Sequence, residues 1–154
     1  MKHLLLQVFV ALTIAGVVQG AQPAQISLGK PYQKVLSPSH TFSTAPVCIM
    51  VPFTVTNNTT GRISFSCSGD RAPIFHQYML DPKKGKRWDD VTLNGACGLG
   101  HTTKTLAPGE TLKGEEPVQS EYSGRQLRFM LNVTNESSES HAPVRVKSDS
   151  IILP

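Results

Sequence analysis

From Val47 to Thr56 the chain alternates strictly: Val47, Ile49, Val51, Phe53 and Val55 are apolar and mostly β-branched. A period of two lines one face of a strand and cannot line one face of a helix. The same period returns in Leu127, Phe129, Leu131 and Val133, with Arg128, Asn132 and Thr134 on the water side. After residue 20 no window of a dozen residues keeps apolar side chains at i, i+3, i+4 and i+7. Such a chain must bury its apolar rows between sheets.

Shorter strands are expected at residues 26–28, 63–67, 74–80, 112–118 and 144–153. Turn chemistry separates them. Asn57-Asn58-Thr59-Thr60-Gly61 is read as one hairpin and Asp81-Pro82-Lys83-Lys84-Gly85 as another, while residues 135–141 form a polar loop. In Ala107-Pro108-Gly109-Glu110, Pro108 presets φ and Gly109 supplies the positive φ of a type II turn. Residues 30–46 hold three prolines and read as an irregular crossing or a strand broken at Pro38. The expectation is an all-β fold, an antiparallel immunoglobulin-like β-sandwich of about six to eight strands.

Residues 1–20 read as a signal peptide. Lys2 precedes a mostly apolar run, and Val18-Gln19-Gly20 offers small or modest residues at the cleavage site. The run is too short for a convincing membrane span. The expected mature protein is one domain, residues 21–154, exported to the periplasm or beyond the cell. The whole chain's formal net charge is +4, and losing Lys2 with residues 1–20 leaves +3, too mild to name a partner. Asn57, Asn58, Asn132 and Asn135 each begin an Asn-x-Ser/Thr sequon, which matters only in a source that glycosylates exported proteins.

Three cysteines follow residue 20: Cys48, Cys67 and Cys97. Export favours a disulfide, and an odd count leaves one thiol over. Cys67 shares parity with Ile63 and Phe65 and should face inward. Cys48 has the opposite parity from Ile49 and Val51 and should face away as the free thiol, unless a bulge at Pro52 reverses it. Cys97, in Asn94-Gly95-Ala96-Cys97-Gly98, can fold back onto a strand end. The expected pair is Cys67 with Cys97.

The order "SFSCSG" with Cys67, "KGKRWDDV" with Trp88, Cys97, "TLAPGET" and "RQLRFML" resembles small secreted bacterial immunoglobulin-like domains. It is similar to the BsuPI-like proteinase-inhibitor fold group. That group pairs a Cys after the second main strand with one after the Trp, and carries a Leu-x-Pro-Gly turn. The resemblance spans about residues 47–131. The chain departs from it in the extra Cys48 and in Tyr122-Ser123-Gly124-Arg125, where a Gly-x-Tyr-Arg order is more common.

No Gly-x-Ser-x-Gly elbow, phosphate-binding Gly-rich loop or His-Glu-x-x-His is present. Asp89-Asp90 would face opposite ways on a strand. Cys97-Gly98-Leu99-Gly100-His101 has ligand-like spacing, and His76 lies three residues before Met79, a softness that suits copper. Yet no second pair completes a tetrahedral set, and His76 and Met79 should face oppositely. No metal site and no cofactor are therefore expected, with His76 and His101 as the residual candidates. Lys83, Lys84, Lys86 and Arg87 beside Trp88 form a basic hairpin tip that could bind an acidic partner; no nucleic acid is expected, because aromatic residues are sparse. The resulting expectation is a non-enzymatic exported domain that binds, with a protein as partner. The alternatives are a proteinase inhibitor acting through a loop near Lys83 or residues 98–104, and a copper or zinc binder.

Overall fold

The structure, a computed structural model, describes residues 22–35, 47–68, 72–81, 83, 85, 87–92, 101–138 and 141–154. Residues 1–20, Cys97 and the Lys84 and Lys86 positions lie outside them. Among the described residues twelve strand segments build two antiparallel sheets: β1 Ala24–Leu28, β2 Tyr32–Val35, β3 Val47–Asn57, β4 Ile63–Ser68, β5 Ala72–Pro73, β6 His76–Leu80, β7 Trp88–Asp90, β8 His101–Leu106, β9 Thr111–Gln119, β10 Gln126–Asn135, β11 Val144–Lys147 and β12 Ile151–Ile152. The antiparallel sandwich is the expected fold class. The segments outnumber the expected strands because long strands take two short partners in succession along one edge.

Sheet one centres on β3. One edge pairs with β9 from Cys48↔Gln119 to Thr56↔Thr111, and the other pairs with β1 at Phe53 to Asn57 and with β2 at Val47 to Met50. The break between β1 and β2 falls where Pro52 has no N–H to donate; Gly29 N–H donates to the Pro52 carbonyl there at 2.8 Å. Sheet two centres on β10. β4 and β6 line one edge, β11 and β12 the other, with β8 outside β4 and β7 outside β6.

The core lies between the sheets. Ile49, Val51, Phe53 and Val55 meet Ile63, Phe65, Met79, Leu127, Phe129, Leu131 and Val133. Phe75 joins the layers, edge-on to Phe53 at 4.9 Å and stacked on Phe129 at 4.8 Å. Such pairs add about 0.5–1.5 kcal/mol beyond area burial. A Cβ on Gly114 would stand 2.6 Å from the Phe53 ring, so this strand position must stay bare for the ring to lie down.

Two expectations need correction. Asn57 to Gly61 does not close a hairpin, because β3 and β4 belong to different sheets. The segment crosses between layers, as does the Pro108-Gly109 turn between β8 and β9. Asn57 holds both crossings together. Its backbone N–H donates to Glu110 O and its carbonyl accepts from Gly109 N–H, each at 3.0 Å. Its side chain, in a residue only 1% exposed, donates to Leu106 O and Gly61 O. Cys48 shares the outer side of β3 with Met50, off the main core as parity implies, yet it is buried and not water-exposed. Parity selects a face without saying whether that face is covered.

Gly109 has φ +74°, and the Glu110 N–H closes the turn on Ala107 O at 3.0 Å. The Glu110 carboxylate accepts from Ala107 N–H at 2.8 Å, so this side chain serves the turn. Nothing lies within 4 Å of a Cβ at Gly109. Gly109→Val therefore meets a purely backbone cost, expected at about 1–3 kcal/mol. Urea midpoints measure it; an unchanged midpoint would mean that the turn relaxes at no cost.

Candidate functional site

Cross-strand register assembles the outer face of sheet two. Trp88 pairs with Leu80, Leu80 with Gln126 and Gln126 with Ile152, so one row runs across β7, β6, β10 and β12. The next row is Asp90, Tyr78 and Arg128, and the third is His76, Met130 and Lys147. Paired residues in an antiparallel sheet point to the same side. Ile152 is 67% exposed, whereas its neighbours Ile151 and Leu153 turn inward.

The β6–β7 hairpin is the one read from sequence. Asp81 accepts from Lys83 N–H at 2.9 Å and stiffens the bend, leaving Lys83 exposed. Arg87 is exposed and stands 3.8 Å from Asp89, a pairing worth little in water. Trp88 is half-buried, and the Arg128 guanidinium carbon lies 4.0 Å from its ring centroid. One indole face is thus covered from within the chain. Arg128, expected to face water, has its Nε buried with no hydrogen-bond partner.

Asp89 and Asp90 do part to opposite faces, Asp90 opposite Tyr78 and Asp89 opposite Met79. The Thr92 hydroxyl and backbone N–H donate to Asp90 and hold its carboxyl below the usual carboxylate value; Tyr78 and His76 reinforce this. A carboxylate so engaged is a poor general base. His76 lies on the outer row while Met79 is in the core, so the two cannot converge on a copper ion. The backbone of His101 is laid into β8 against Ser68; its side chain lies outside the described residues. Among the described residues no three His, Cys, Asp or Glu groups gather as metal ligands.

Cys67 sits in the core with Ile63 and Phe65, and burial pushes its thiol up, opposed by the Lys104 charge. It carries a free thiol in this structure, as does Cys48; the expected partner, Cys97, lies outside the described residues. A buried thiol with a raised pKa is unreactive, which agrees with a structural role for Cys67.

Two residues were missed from sequence. Glu116 follows Leu112 and Gly114 and precedes Val118 on the inward side of β9, so alternation alone marks a carboxylate aimed at the core. It accepts from Gln77 Nε2 at 3.2 Å, across the two sheets, and burial pushes its pKa up to about 7. Arg128 needed the register of three strands before its position over Trp88 could be seen. A shallow polar depression of about 440 Å³, lined in part by Gln25, Asn58, Lys147 and Asp149, lies beside β1. Its amides, amine and carboxylate do not form a nucleophile and base pair.

No protein-family model matches this sequence, and no curated protein matches it. Among solved structures, the chain is similar to a crystal structure of a protein provisionally named ApaA from Bordetella pertussis. The TM-score is 0.52 at 16% identity, over 86% of this chain and 96% of that one. The likeness supports the sandwich architecture and carries nothing beyond it.

Proposed function

We propose that this chain is a non-enzymatic, exported binding domain whose partner is a protein, and that it binds through the outer face of sheet two. The observation that carries this reading is the grouping of Trp88, Tyr78 and Arg128 beside Leu80 and the exposed Ile152. Trp, Tyr and Arg dominate binding hot spots because each joins a large apolar body to a polar tip. A rigid sheet presents them with little ordering cost on binding.

The signal-like residues 1–20 and the resemblance to BsuPI-like domains support export to the periplasm or beyond. In that setting Cys67 would be bridged to Cys97, which non-reducing peptide mapping detects. Among the described residues no helix is long and apolar enough to cross a membrane. A proteinase inhibitor is the second reading, favoured by the stiffened tip that presents Lys83. Residues 101–104 suit that role less, since they are paired along β4. A protease panel separates the two readings.

The test is capture of the partner from the source cell envelope on immobilised exported protein. Trp88→Ala and Ile152→Asp should lose the captured protein while keeping the unfolding midpoint. Retention by both variants would move the binding surface elsewhere.

A further inference from the structure

The geometry points to Arg128 as the receptor for a carboxylate of the partner, carried on an acidic residue flanked by apolar ones; this rests on the outer-face reading above. Arg128 holds five N–H donors in a planar fork. Its Nε is buried and has no hydrogen-bond partner. A buried cationic donor without an acceptor is costly, more than an exposed one. The Trp88 ring at 4.0 Å fixes the guanidinium and shields one side, but it accepts no conventional hydrogen bond.

The two carboxylates of β7 do not take the fork. Asp90 takes both Thr92 donors, and Asp89 is turned to the other side of β7 beside Arg87. Arg128 as a whole is half-buried, and a guanidinium edge is matched bidentately by an incoming carboxylate. Leu80 and Ile152 occupy the adjoining row and would seat apolar neighbours of that acid. Lys147, one row beyond, adds positive potential.

Trp88 is the only tryptophan, so its emission reports on this face directly. The probe is a capped peptide with Glu between leucines, titrated into the full exported protein beside its Gln counterpart. Saturable emission change with Glu, at least roughly tenfold weaker with Gln, is expected. Arg128→Lys keeps the charge and loses the fork, and should weaken the Glu peptide by roughly tenfold. Arg128→Gln checks the result if the Lys variant folds poorly. Equal binding of Glu and Gln peptides, or an unaltered response in both variants, overturns the proposal. Inorganic phosphate quenching as strongly as the Glu peptide overturns it too, since the site would then be an undiscriminating anion site. The captured partner separates this failure from that of the surface reading. Loss with Trp88→Ala but not with Arg128→Gln sinks the carboxylate alone; retention by both sinks the surface.

Discussion

Asn57→Ala should destabilise the protein by about 2–4 kcal/mol, with no change in the outer face of sheet two. The Asn57 side chain uses every hydrogen-bonding position it has. Its Nδ2 donates to Leu106 O at 3.0 Å and Gly61 O at 2.8 Å, and its Oδ1 accepts from Thr59 N–H at 2.9 Å and the Thr59 hydroxyl at 2.8 Å. Alanine would leave the Leu106 carbonyl and the Thr59 N–H without these partners, at about 1–3 kcal/mol for each buried group. The Gly61 carbonyl keeps the Thr59 hydroxyl as a donor. Asn57→Asp should be no better above the carboxyl pKa, since it removes the Nδ2 donor and buries a charge at a position 1% exposed. Urea unfolding of the three proteins gives the numbers. A loss under about 0.5 kcal/mol for the alanine variant would show that water replaces the clip. The same occupied Nδ2 makes Asn57 the least accessible of the four sequon asparagines.

The second large effect depends on pH. Glu116 titrates at about 7 in the fold against an ordinary 4.5, because burial disfavours its charged form more than the Gln77 amide supports it. The folded protein thus holds a proton that the unfolded chain has released between these values. Stability is full below pH 4.5 and falls as pH rises through 7, by about 3 kcal/mol at most. Glu116 is half-buried, so solvent reduces this. Glu116→Gln should match the parent near pH 4, exceed it by about 2 kcal/mol at pH 8, and flatten the slope between. Unfolding midpoints across pH 4 to 8 test this. An unchanged slope in the variant would assign the effect to another group.

The long strands were legible because their cores are spelled without interruption: Ile49 to Val55 and Leu127 to Val133 alternate and lie in the core as spaced. β8 was not, because its Thr102, Thr103 and Lys104 offer no apolar row, and among its described side chains only Leu106 is fully buried. The Asn57–Gly61 error has a different origin. Hairpins and inter-sheet crossings use the same Asn, Thr and Gly chemistry, and what separates them is the sheet that receives the next strand. Trp88 stood out in sequence as the one tryptophan beside a basic run. That its companion is Arg128 depended on two strand pairings, β7 with β6 and β6 with β10, neither of which is local to both residues.

The pairing pattern also sets the order in which this chain can become ordered. β3 finds its second neighbour only in β9, where Cys48 meets Gln119. β4 waits for β8 and β10, and β10 itself is finished by Ile151 and Ile152 at the far end. The β6–β7 hairpin is among the few pairings that close early. Loop closure over such separations is slow, so folding belongs on the millisecond-to-second scale of sandwich proteins. Through most of synthesis the apolar rows of β3 and β4 stand without their partners, open to aggregation. A ribosome-bound chain ending before Gln126 would therefore lack the central strand of sheet two and remain degradable, whatever the stability of the finished domain.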